Sequence, residues 1–142
     1  MAGIREDRLA GFVALLKSEG RHSVLGLDCG HGTDGLLFVA SGIHFTGVDP
    51  SEENIHSARA RGLEASVAAD AVLPFADSVF PAVWAVDALA GLPPGERDDV
   101  VRELGRVTAP GAPIAVVLPG PGLPEHGLPE HGAGFTVLRS PG

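Results

Sequence analysis

The fold is decided by Ser23–Pro50, SVLGLDCGHGTDGLLFVASGIHFTGVDP. A short apolar run, Val24–Leu27, ends in a glycine-bearing turn, Asp28-Cys29-Gly30-His31-Gly32. A helix-compatible segment follows, with Leu36, Leu37, Val39 and Ala40 as its apolar positions, and a second apolar run, Phe45–Val48, stops at Asp49. This order is strand, tight turn, helix, strand: a βαβ unit. The turn falls where a strand hands over to a helix N-terminus, a place rich in free backbone N–H groups and positive dipole. Asp49 follows Gly30 by about 20 residues, the spacing at which an acid holds a ribose hydroxyl pair. The stretch therefore points to a ligand that contains a nucleoside.

Two cofactor classes compete for it. Gly30-His31-Gly32-Thr33-Asp34-Gly35 fits the dinucleotide pattern G-x-G-x-x-G literally, which alone is a weak signal. Leu27-Asp28-Cys29-Gly30-His31-Gly32 resembles the first motif of class I methyltransferases that use S-adenosylmethionine, and Thr46–Ser51 resembles their second. Ala69–Asp77 is similar to their third-strand motif, and Val100–Ala112 to their helix, Pro-Gly turn and fifth strand. The four motifs stand in order over Ser23–Leu118. The resemblance implies an α/β, Rossmann-like three-layer sandwich with a mostly parallel sheet, order 3-2-1-4-5, plus a short sixth edge strand at Gly134–Leu138. It implies S-adenosylmethionine as cofactor and a small-molecule methyl acceptor. The alternative is a methyltransferase-like accessory or binding protein, or the same pocket turned to another reaction. A dinucleotide oxidoreductase is the most distant reading.

The family resemblance also places a site. Asp28, Cys29, Gly30, His31 and Gly32 would line the donor, with Asp49 on the ribose beside Pro50. Asp70 and Ala71 would lie on the adenine side, and Asp87 after strand four would be a site residue or a cap. The chain departs from the family in three places. The family's first-strand acid falls at Gly26, its first glycine at Asp28, and an expected Asp at Pro81. Asp28 either holds the donor's amino group or repels its carboxylate. The segment after strand four, Ala88-Leu89-Ala90-Gly91, offers no general base.

Composition bounds the rest. A chain of 142 residues, 44% apolar, is expected to form a single domain, 1–142. A net charge of −8 argues against nucleic acid as a partner. One Cys excludes an intrachain disulfide and offers no zinc motif, so no metal is expected there. No apolar run reaches the ~18 residues of a membrane span, and no secretory signal pattern opens the chain. A cytoplasmic protein without a membrane partner is the simplest expectation.

Residues 1–20 carry an amphipathic helix, Ile4–Ser18, ended by Gly20 and read as a packing helix or a lid. Strand three is expected over Ala65–Ala69, strand four over Val79–Val86 with regular pairing only after Pro81, and a helix over Glu96–Val107. Residues 119–134 form a Pro/Gly-rich loop with a tandem repeat, Gly122–His126 and Gly127–His131. Glu125, His126, Glu130 and His131 are chemically adequate metal ligands, but their spacing matches no established motif, and linker duplication is the simpler reading. The family's usual last strand has no residues here, so self-association or a partner subunit covering the sheet edge is expected.

Overall fold

The computed structural model describes residues 4–117 and 134–141. Helix α1 (Ile4–Ser18) precedes β1 (Ser23–Gly26), α2 (Thr33–Ala40) and β2 (His44–Asp49). Then come α3 (Glu52–Ala60), β3 (Glu64–Val67), β4 (Val83–Ala85), α4 (Pro94–Val107), β5 (Pro113–Val117) and β6 (Phe135–Arg139). The sheet order is β3-β2-β1-β4-β5-β6. All neighbours run parallel except β6, which pairs antiparallel with β5. The expected topology, edge strand included, is the one observed.

Side-chain alternation along the strands builds two cores. Val24, Phe45, Trp84 and Ala115 face one side, where α1, α2 and α3 bring Leu9, Phe12, Phe38 and Ile55. Leu25, Val48, Val83 and Ile114 face the other, where α4 brings Val100, Leu104 and Val107. Loop residues Leu73, Phe80 and Leu89 complete that second core, because a single helix cannot cover a sheet face. Helix α1 therefore packs on the sheet through Leu9, Phe12 and Leu16. No helix among the described residues is long and apolar enough to cross a membrane.

Several boundaries and contacts differ from expectation for local reasons. β3 stops at Val67, and Ala69 instead makes an isolated antiparallel bridge to Val72 around a turn. β4 is only Val83–Ala85, because Pro81 cannot donate to a ladder; Phe80 makes a lone bridge to Thr108. α4 begins at Pro94, where a missing N–H costs nothing in the first helical turn. In α2 the packing residue is Phe38, fully buried, while Leu36 and Val39 lie 36% and 51% exposed. The tandem repeat, with Glu125, His126, Glu130 and His131, lies outside the described residues.

One ring organises the first βαβ unit. A Cβ built at Gly26, Gly35 or Gly47 would stand 2.5, 2.7 or 2.8 Å from the Phe45 ring. The ring of a β2 residue thus occupies the volume that three side chains would otherwise need. This explains the missing first-strand acid: at position 26 there is no room for a side chain.

Candidate functional site

The strand order reverses between β1 and β4, so a crevice opens there at the carboxyl ends of the parallel strands. The β1–α2 turn forms one wall. Asp28 takes a left-handed conformation, φ 50°, at the position where the sequence comparison expected glycine. Aspartate is among the few residues that tolerate this region. Gly32 is the residue before α2, with φ 97°, and a Cβ on it would meet Leu63 Cδ1 at 2.3 Å. The turn is held to β2 by the Cys29 N–H donating to the Val48 carbonyl at 3.0 Å.

Asp49 ties this turn to the start of α3. Its Oδ2 accepts the Gly30 N–H at 3.0 Å. Its Oδ1 accepts the Ser51 N–H at 2.9 Å and the Asn54 Nδ2 at 3.3 Å. Asp49 is buried, and a carboxylate offers about four acceptor positions, three of which are filled here. For the ribose hydroxyl pair expected at this acid, one acceptor position remains, on Oδ2. Ser51 caps α3 as expected, accepting the Asn54 N–H at 3.2 Å.

Asp28 and Asp70 form the second feature. Burial raises the Asp70 carboxyl to about 8, with the neighbouring Asp28 charge adding to it. Burial also raises Asp28, and Asp49 and Asp87 push in the same direction. Asp70 Oδ1 is buried and has no donor among the described residues. The two neighbouring carboxyls thus each hold a proton more tightly than an exposed aspartate does. Asp28, Asp49, Asp70 and Asp87 stand at or just after the carboxyl ends of β1, β2, β3 and β4. Cys29 is pushed up to about 11 by burial and by Asp49, so its thiol stays protonated.

The remaining expected residues are distributed around this group. His31, Pro50 and Ala71 are exposed. Pro50, Asp70 and Ala71 line a cleft of about 430 Å³ that also includes Leu92 and Glu96. Asp87 lines a different cleft, about 400 Å³, beneath α1. Among the described residues no cluster of three His, Cys, Asp or Glu has metal-binding geometry.

The sequence reading missed the network that closes the second cleft. Arg5 on α1 donates from Nε to Asp34 Oδ1 at 3.0 Å, and a further nitrogen of the same group pairs with Asp34 Oδ2. It also reaches Asp87, with Arg5 Nη2 2.7 Å from Oδ2. Trp84 Nε1 donates to Asp34 Oδ2 at 2.9 Å. The two carboxylates raise the Arg5 guanidinium above its usual range. A buried indole N–H needs an acceptor, so Trp84 in an apolar strand was the available signal. Its partner, 50 residues away, was not legible locally.

Comparison with known proteins places this arrangement. Residues 25–116 match the family model described as a methyltransferase domain. The 27-O-demethylrifamycin SV methyltransferase of Amycolatopsis mediterranei (strain S699) is 33% identical over 119 residues, 78% of this chain and 42% of that protein. Methyltransferase GfsG of Streptomyces halstedii is 36% identical over 104 residues, 67% of this chain and 37% of that one. The chain thus spans less than half the length of these curated relatives. The solved structure of SAM-bound CalS10, an amino pentose methyltransferase from Micromonospora echinaspora, superposes with a TM-score of 0.72 at 20% identity, covering 87% of this chain and 53% of that one. With the expected strand order, the glycine turn after β1 and the acid after β2 all in place, the chain belongs to the class I S-adenosylmethionine-dependent methyltransferase family.

Proposed function

We propose that this domain transfers a methyl group from S-adenosylmethionine to a small-molecule acceptor. The observation that carries the reading is the reversal of strand order between β1 and β4, with acids at or just after the carboxyl ends of β1 to β4, within the stretch that matches the family. The residues present fit the donor on an observation independent of the family: Asp70 Oδ1 is a buried acceptor with no donor among the described residues, and burial and the Asp28 charge hold its carboxyl high, a setting that a cationic ligand relieves. A donor carrying an ammonium and a sulfonium has the complementary charge. Bound there, it would supply an already activated methyl group.

The chain's own residues do the positioning. Asp49 fixes the Gly30 amide and the α3 start, and keeps one acceptor position for a hydroxyl. Asp28 and Asp70, both raised by burial, provide acceptors for cationic and amine groups. Cys29 packs as a neutral thiol and offers no nucleophile. Arg5 ties α1 to Asp34 and Asp87 beside the cleft wall of Trp84 and Val86, where a bound ligand would displace water. Alignment and exclusion of water are sufficient for displacement at an activated methyl, so the lack of a general base after β4 is consistent with the reaction.

The assembly reading rests on β6, which pairs on one side with β5 and has no strand on its other side among the described residues. Pairing of that edge with a second chain is the expected association. Light scattering at tens of micromolar reads it out, and a clean monomer refutes it.

Titration calorimetry with S-adenosylhomocysteine, S-adenosylmethionine and NAD tests the function. Binding of both adenosyl compounds, without NAD, is expected. Absence of adenosyl binding at millimolar concentration refutes the methyltransferase reading and leaves the accessory-protein alternative.

A further inference from the structure

The cleft beneath α1 contains two arginines with different commitments. It is lined by Arg5, Arg8, Trp84, Val86, Asp87 and Val117, among others, and holds about 400 Å³. That volume lies within the range of small-molecule sites. Arg5 is spent on Asp34 and Asp87, and in doing so it neutralises the one acid in the lining. Arg8 makes no ion pair with any carboxylate among the described residues. Its guanidinium instead lies over the Phe135 ring, 4.8 Å from the ring centroid. The ring also packs near Trp84, at 6.1 Å between centroids.

This placement has a chemical consequence. Stacking on an aromatic face fixes the plane of a guanidinium and leaves its N–H edge available. A planar fork of donors held this way matches a carboxylate with two parallel hydrogen bonds. Among the described residues Arg8 is the arginine of this cleft that no carboxylate engages, and its guanidinium is placed by the Phe135 ring instead. The rest of the wall, Trp84, Val86 and Val117, is apolar.

We propose that Arg8 is the carboxylate-binding residue of this cleft, taking a ligand that presents a carboxylate beside an apolar body. The proposal rests on the methyltransferase reading for its context and not for its chemistry. The carboxylate has two sources: the amino-acid end of the adenosyl donor, or an acidic methyl acceptor.

The test uses wild type, Arg8→Gln and Arg8→Lys, with four probes measured by titration calorimetry. S-adenosylhomocysteine and 5′-methylthioadenosine differ by the amino-acid portion; 1-naphthoate and 1-naphthamide differ by the charge. Arg8→Gln is expected to weaken one carboxylate probe by ~10-fold or more, the size of a lost charge-assisted bidentate contact, while its carboxylate-free counterpart moves less than about twofold. Arg8→Lys is expected to fall between, keeping charge and losing the fork. A change confined to the adenosyl pair assigns the donor's carboxylate, and a change confined to the naphthyl pair assigns an acidic acceptor. Equal effects on both members of each pair, or no effect on either, overturn the proposal. So does a wild type that binds neither carboxylate more tightly than its counterpart. Failure of every adenosyl compound to bind would strike the methyltransferase reading, while the naphthyl pair would still judge Arg8.

Discussion

Asp70→Asn is expected to stabilise the protein at alkaline pH and to have little effect in mild acid. The Asp70 carboxyl is raised from its ordinary 3.8 to about 8, first by burial and then by Asp28. A carboxyl raised in the native state holds its proton more tightly there than in the unfolded chain. Stability is therefore full below about pH 4 and falls as pH rises, until the native group itself ionises near 8. Each pH unit in that window is worth at most about 1.4 kcal/mol. From pH 5 to pH 8 the ceiling is about 4 kcal/mol, and the half-exposed setting reduces it to about 2 kcal/mol. Asparagine is neutral throughout and retains a donor for the Asp28 carboxylate. Thermal melts at pH 5, 6.5 and 8 should show the variant level with wild type at pH 5 and roughly 6 °C higher at pH 8. A gain of the same size at every pH would mean that the amide merely packs better. A wild type that gains stability relative to the variant between pH 5 and 8 would refute the raised Asp70 carboxyl.

Three further expectations follow from geometry. Gly32→Ala places a methyl 2.3 Å from Leu63 Cδ1 in a left-handed backbone, and should cost about 2–3 kcal/mol in denaturant unfolding. A loss under 0.5 kcal/mol would show that the turn adapts. Trp84→Phe removes the donor to Asp34 and should cost about 2–3 kcal/mol, part hydrogen bond and part lost ring volume; an unchanged midpoint would mean that Arg5 alone satisfies Asp34. Asp49→Ala strands the Gly30 and Ser51 amides, so about 2–4 kcal/mol of stability should disappear along with adenosyl binding. If binding is lost and stability is not, Asp49 acts on the ligand alone.

Much of the fold could be read because its determinants are local. The run Val24–Leu27, the turn after it and the stop at Asp49 each signal their element within a few residues, and Ser51 with its acidic neighbours marks α3. Pro81 correctly shortened β4 for the same reason. The interior of α2 was misjudged: five apolar residues in a row, Leu36–Ala40, hide which one faces the sheet, and Phe38 does. The site divided along the same line. Asp49 stood out by its spacing from Gly30, and Asp70 by the resemblance of Ala69–Asp77 to the family's third-strand motif. The three partners of Asp49 were not legible, because they depend on how the turn and α3 meet. Arg5 and Trp84 converge on Asp34 from separations of 29 and 50 residues, and no local pattern records such a meeting.

The Phe45 ring and its three glycines have a consequence for how this chain can change. Gly26, Gly35 and Gly47 come from a strand, a helix and a second strand, yet one ring denies a methyl to all of them. None of the three can accept alanine alone while the ring stays in place. A smaller residue at position 45 would open a cavity first and remove the clash afterwards. The order of substitutions therefore matters: any route from these glycines to larger residues runs through a destabilised intermediate at position 45, and a single step in the other order is closed. Gly26 and Phe45 should therefore vary together, a form of sign epistasis centred on one aromatic ring, while Gly47 also needs Cys29 to give way, whose Sγ would lie 2.9 Å from an added Cβ.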